Sequence, residues 1–240
     1  MKAMHSSQIK YVSARDSREI VQQYVGERLH VEQRADAAVL LNEAYGISAK
    51  KSDNPIIGIG LIRGTALQSY HINFGREKWI CLFASIAEEL SSRGYRFCFF
   101  TNGLQSDYDL GIEVLQRLKL PNTYLVERPT NTHVLADTIS GFSAMITCRM
   151  HSAIAGFSMG IPAVVLSWNT KLNKFMELID CTERAVNVDH FDACYIVDIM
   201  EKAMREGYSP NQLAEAKELA RESVRGYIDL IQECGTINVE

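Results

Sequence analysis

From residue 55 onward, short apolar runs alternate with longer stretches in which apolar positions recur every three or four residues. Strands that repeat in one direction need a crossover helix to return the chain, so this alternation predicts strand–helix units and a mostly parallel sheet. Six runs are rich in β-branched and aromatic residues and bounded by Gly, Pro, Asn or Asp: residues 55–62, 95–100, 123–127, 144–148, 162–167 and 185–188. Between them, Trp79, Ile80, Phe83, Ile86, Ala87 and Leu90 stand at helical spacing within 76–92, and 108–118 and 191–205 carry similar faces. One doubly wound α/β sheet covered by helices on both sides is expected. The last periodic stretch, 210–233, opens on Ser209-Pro210, a favoured cap followed by a proline suited to the first helical position, and predicts a helix of about six turns.

Before residue 50 the pattern changes. YVSAR predicts a short strand, residues 16–25 a helix, and ADAAVLL (35–41) a second apolar segment. The charged, proline-terminated KKSDNP (50–55) marks a boundary, dividing the chain into a smaller unit, 1–52, and a larger Rossmann-like one, 53–240.

Composition narrows the classes of function. With 240 residues and 47% hydrophobic content the chain can bury a real core, and its formal charge of −4 offers no basic stripe for a nucleic-acid backbone. The six cysteines are scattered without CxxC or Cys/His spacing, so they are expected as structural thiols in a reducing compartment, with no metal site. The N-terminus lacks the apolar run of a signal peptide, and nothing approaches the ~20 apolar residues of a spanning helix. A cytoplasmic protein is expected, able to work peripherally at the inner membrane face.

The chemistry concentrates in residues 146–175. The layout is strand, polar loop, small-residue helix, Gly-Ile-Pro turn, strand, then a polar loop ending in Lys171. Arg149, His151 and Ser152 stand where a strand's carboxyl end passes into a helix N-terminus, the place where open α/β sheets bind ligands and where helix N–H groups favour an anion. Arg149 adds a bidentate fork and His151 a side chain that titrates near neutrality. The same two residues also suit a surface cation and a satisfied hydrogen-bonding group. Gly156 and Gly160, four apart, permit close approach of that helix to the sheet. Asp107 and Asp109 read as acidic residues at a helix start, Asp107 within a Ser-Asp cap, and His71 and His133 as loop residues without partners.

The run CRMHSAIAGFSMGIPAVVLSWNTKLNKF resembles the C-terminal signature of the polysaccharide pyruvyl transferase family. The matching residues are Arg149, Met150, His151, Gly160, Pro162, Trp168 and Lys171. VSARDSRE resembles the family's Ser-x-Arg-Asp segment, ADAAVLL its following Asp-containing strand, and GIGLIRG the strand that opens its second domain. The resemblance implies the second domain of a glycosyltransferase-B-like architecture with a remnant of the first. It implies transfer of a pyruvyl group from phosphoenolpyruvate, the donor substrate, to two hydroxyls of a cell-surface polysaccharide or its lipid-linked precursor, without cofactor or metal. On this reading His151 is the acid that protonates the donor, while Arg149, Met150, Ser152, Arg15, Arg63 and Lys171 form the substrate site, Arg15 ranking above Arg63. A general base would belong to the missing part of the first domain, supplied by a partner chain or a homo-oligomer. Two alternatives stand beside it: a glycosyltransferase using a nucleotide sugar, and a truncated, non-catalytic interaction protein.

Overall fold

The computed structural model describes residues 6–67 and 72–235, with side chains through Gln232. His71 and the Cys234 side chain lie outside the described residues. Five strands, β3 (Ile56–Gly60), β4 (Arg96–Phe100), β5 (Ala144–Thr147), β6 (Ala163–Ser167) and β7 (Ala185–Asn187), form one parallel sheet in the order β4-β3-β5-β6-β7. Ahead of it, β1 (Val12–Ala14) and β2 (Val31–Gln33) pair in parallel around α1 (Arg18–Val25) as a small βαβ unit.

Strand alternation builds two cores. Ile57, Ile59, Phe97, Phe99, Ile146, Val164 and Leu166 point to one face, where they meet α3 (Arg76–Ser92), α4 (Gln105–Leu118) and α8 (Ala193–Glu206). Phe100, Met145, Ala163 and Val165 point to the other, against α6 (Met150–Ser158) and α7 (Thr170–Leu178), with Ile139 of α5 (Thr132–Ser140) in the same cluster. Each large side chain so buried contributes about 1.5–3 kcal/mol, which is why the strands read as continuous apolar runs. α9 (Pro210–Gly235) closes the second face through Ala216 and Ala220. Its start is a capping box: Ser209 Oγ accepts from Gln212 N at 3.1 Å, and Gln212 Oε1 accepts from Ser209 N at 2.8 Å.

The small unit is tied to this body. Its own core is Ala14, Val25 and Val31, and the Gln22 amide satisfies Gly26, Leu29 and Val31 of the backbone. Beyond β2 the chain turns at Asp36, whose Oδ1 accepts from Ala38 N at 2.9 Å, into a 3-10 helix (Ala37–Leu40) and α2 (Leu41–Tyr45). Val39 is thereby buried in the second core beside Ala153, Ala216 and Ala220. α9 reaches back: the Tyr11 and Tyr227 rings meet edge to face at 5.5 Å, and Arg34 pairs with Glu222.

Four sequence expectations are corrected. Residues 123–127 form no strand: Asn122–Tyr124 is a 3-10 turn and Leu125 makes a single bridge to Phe99, because Pro121 and Pro129 confine the segment. ADAAVLL is helical, and the strand at this place is the upstream Val31–Gln33, too short and polar to show a period. α4 starts three residues early, at Gln105, so Asp107 lies inside its first turn and caps nothing. The loop before Lys171 ends at Asn169, whose side chain accepts from Lys171 N and Leu172 N and starts α7.

Candidate functional site

The strand order reverses direction between β3 and β5, so the crevice beyond Gly60 and Thr147 is the sheet's topological switch point. A side chain at Gly60 would put Cβ 2.5 Å from Thr147 Oγ1, so only glycine leaves this hydroxyl its place. Thr147 Oγ1 in turn accepts from Arg149 N at 3.1 Å, bending the chain off the strand. Arg149 keeps extended backbone (φ −109°, ψ 117°) as the N-cap of α6, and no side chain caps that end. α6 ends as firmly: Ile161 N donates to Gly156 O at 2.8 Å and Gly160 N to Phe157 O at 2.9 Å, with Gly160 at φ 76°. Gly156 serves packing, since an added Cβ would stand 2.7 Å from Met145 Cε, whereas Gly160 serves its left-handed backbone and has open space around it.

Asp107 organises the crevice from below. It is fully buried, its Oδ2 paired with Arg149 Nη2 and its Oδ1 accepting from Arg63 N at 2.7 Å. One carboxylate therefore ties the loop after β3 to the loop after β5. Arg149 is not the free fork expected from sequence; its guanidinium is held in place by Asp107. Its Nε is buried without a hydrogen-bond partner among the described residues, and the side chain as a whole stays partly exposed beside the cleft. The Arg63 side chain is exposed, and only its backbone joins this constellation.

Above Asp107 lies a cleft of about 270 Å³ whose lining includes Arg15, Arg149, Met150, His151, Trp168 and Lys171. Arg15 comes from the end of β1, Met150 and His151 from the first turn of α6, and Lys171 from the first turn of α7. Arg63 and Ser152 do not line it. Ser152 is buried, its hydroxyl 2.5 Å from Asn102 Oδ1, so it supports the cleft wall. His151 is exposed, and its Nε2 lies 3.5 Å from Asp36 Oδ2, which Arg15 Nη1 also contacts. His151, the Ala38 N–H and Arg15 together hold the Asp36 carboxyl well below the usual carboxylate range, although burial opposes this. Asp36 is thus an ionised acceptor beside an imidazole. A larger hollow of about 410 Å³, at the other end of the sheet around Arg96 and Tyr124, has Arg96 as the one charged group among its lining residues.

Sequence reasoning did not single out Asp36, and it read Asp107 as a cap. Asp107 carries a usable signal: Asp107, Leu110, Gly111 and Val114 share one face of α4, and that face is apolar except for the aspartate. For Asp36 the signal is the cap at the start of a helical turn, visible once ADAAVLL is read as helix. His133 meets the Tyr45 ring edge-on at 5.4 Å and takes no part in the cleft lining.

No curated protein matches the chain. The family model described as Polysaccharide pyruvyl transferase matches residues 1–170, a span that takes in the small βαβ unit, the switch-point crevice and the cleft lining apart from Lys171 and Leu172. The chain belongs to the polysaccharide pyruvyl transferase family.

Proposed function

We propose that the cleft binds phosphoenolpyruvate and that the chain transfers its pyruvyl group, as a ketal, to two hydroxyls of a cell-surface polysaccharide or its lipid-linked precursor. The observation that carries this reading is the convergence of Arg15, Arg149, His151 and Lys171 on one cleft at the α6 N-terminus. The donor has a carboxylate and a phosphate on a three-carbon frame, and a cramped set of cations with helix N–H groups suits it. Arg149, immobilised by Asp107, offers directional N–H donors, while Lys171 offers a flexible point charge for phosphate. Membership supports transferase chemistry.

In the reaction, His151 in its protonated form gives a proton to the donor's methylene carbon, and the neighbouring carbon accepts the first sugar oxygen. The second sugar oxygen bonds to the same carbon as that carbon's bond to the phosphate oxygen breaks; phosphate leaves with that electron pair, one sugar hydroxyl proton restoring His151 and the other departing on the phosphate. The ionised Asp36, 3.5 Å from His151 Nε2, keeps the ring oriented. Among the described residues no helix is long and apolar enough to cross a membrane. A lipid-linked acceptor would be met at the inner membrane face.

Calorimetry with phosphoenolpyruvate tests the reading. Arg149→Ala is expected to weaken binding by about 10- to 150-fold, the worth of a charge-assisted hydrogen bond of about 1.5–3 kcal/mol, and Arg149→Lys to recover part of it. Equal binding by wild type and both variants, or binding of a nucleotide sugar in place of phosphoenolpyruvate, rejects it.

A further inference from the structure

A second cleft opens on the same rim of the sheet. It lies beyond the carboxyl ends of β6 and β7, where Ser167 and Asn187 are register partners, and has a volume of about 430 Å³. That is within the range of small-ligand sites, about 300–1,000 Å³. Trp168 and Asn169 line both this cleft and the one holding Arg149 and His151, so the two are contiguous across one residue pair.

The two linings differ in chemistry. The first cleft gathers Arg15, Arg149, His151 and Lys171. The second has no cationic side chain among its described lining residues; it offers Asn169, Asn173, Asn187 and one carboxylate, Asp189. An anion finds amide donors there but no countercharge and one like charge, whereas a polyol uses both kinds of partner, since each amide carries donors and an acceptor and a carboxylate accepts from two hydroxyls. Asn173 Nδ2 donates to Asn187 Oδ1 at 3.4 Å, which leaves Asn173 Oδ1 buried without a partner among the described residues. A buried acceptor of that kind needs an O–H or N–H from elsewhere. Trp168 supplies the apolar counterpart: its Nε1 is anchored on Cys148 O at 2.9 Å, fixing an indole against which the C–H face of a pyranose can lie. The wall is firm, because Asn169 caps α7 and its carbonyl accepts from Ser167 Oγ at 3.2 Å.

We propose that the cleft formed by Ser167, Trp168, Asn169, Asn173, Asn187 and Asp189 binds an uncharged, hydroxyl-rich saccharide. Its role as the acceptor subsite rests on the donor reading above; the saccharide preference stands on this lining alone. The Trp168 boundary places a bound sugar next to the donor cleft, and among the described lining residues no cation draws the two anionic ends of the donor into competition for it.

Saturation-transfer NMR on the full chain, with methyl glycosides of glucose, galactose and mannose, tests the proposal. Transfer to ring C–H protons of at least one glycoside is expected. Asn187→Ala and Asp189→Ala, both at exposed positions, should each weaken it by about 2- to 12-fold, one hydrogen bond's worth, with phosphoenolpyruvate affinity unchanged. No transfer from any of the three, or transfer indifferent to both substitutions, overturns the proposal. So does binding of uridine or guanosine diphosphate that is lost in Asp189→Ala while no glycoside binds, which would make this a nucleoside cleft. If glycosides bind as expected but phosphoenolpyruvate does not bind the wild type, the donor reading fails and the saccharide cleft stands.

Discussion

Two arginine–aspartate pairs flank the cleft that holds Arg149 and His151, and their surroundings give them different work. In the Arg149–Asp107 pair the carboxylate is fully buried and the arginine side chain is 19% exposed. In the Arg15–Asp36 pair the arginine is 33% and the carboxylate 17% exposed, and the carboxylate also faces His151, itself 61% exposed. Water screens the second pair and leaves the first in a medium where an unmatched charge is expensive. The buried pair belongs to the frame, tying two strand ends together. The wetter pair bridges the small βαβ unit to α6 and meets the one titratable side chain of the cleft suited to proton transfer.

The largest expected effect breaks the buried pair. Asp107→Ala strands the Arg149 charge and removes the acceptor of Arg63 N, so a loss of about 3–5 kcal/mol is expected in urea unfolding. A loss below about 1 kcal/mol would place this pair in the same class as the surface one. On the chemical side, His151→Gln should lower kcat for pyruvyl transfer by about 10²- to 10⁴-fold and leave phosphoenolpyruvate affinity nearly unchanged, because a proton donor acts in the transition state. A parallel fall in affinity would assign His151 to binding instead.

Gly156→Leu sharpens the contrast from beneath. It forces a side chain onto Met145 under α6, and a cost of about 1–3 kcal/mol is expected in the thermal or urea midpoint, with the Asp36 side of the cleft untouched. The smallest effect belongs to Asp36→Asn, which keeps a cap but loses the charge, at about 0.2–1 kcal/mol. Its sign with pH is fixed. The folded carboxyl titrates below the unfolded one, so its contribution is full above about pH 4 and is lost as pH falls toward the folded value. Urea midpoints of wild type and variant should therefore differ at neutral pH and begin to draw together only below about pH 4, closing as pH falls toward the folded carboxyl's own titration; a constant gap would deny Asp36 its depressed titration.

Much of this was legible in the chain. The five strands of the main sheet and helices α3, α8 and α9 were found within a few residues, since burial on two faces leaves dense apolar runs and long helices leave a clear period. β2 escaped notice because three residues carry no period, and residues 123–127 imitated a strand that the flanking prolines do not extend. The cleft's Arg15, Arg149, Met150, His151 and Lys171 were named from a strand-to-helix switch and a family resemblance, and the fold brings them to one lining. Arg63 and Ser152 were named on the same grounds and do not line the cleft: the Arg63 side chain is exposed, and Ser152 is buried behind the wall on Asn102.

What a local stretch of chain carries, its period, its caps and its residue types, was enough for the parallel sheet, for the α6 N-terminus and for the placing of Arg149 and His151 there. Pairing across distance was not. Asp107 lies 42 residues before Arg149, and Asp36 lies 21 after Arg15; each looks like an ordinary helix-start aspartate until packing brings its partner within reach. Only the strand order put the ends of β3 and β5 side by side, and only then did one buried carboxylate become the support of the arginine above it. The reason is physical: a helix or strand is set by neighbours a few residues apart, whereas burial and electrostatic pairing depend on three-dimensional distance that local sequence does not encode.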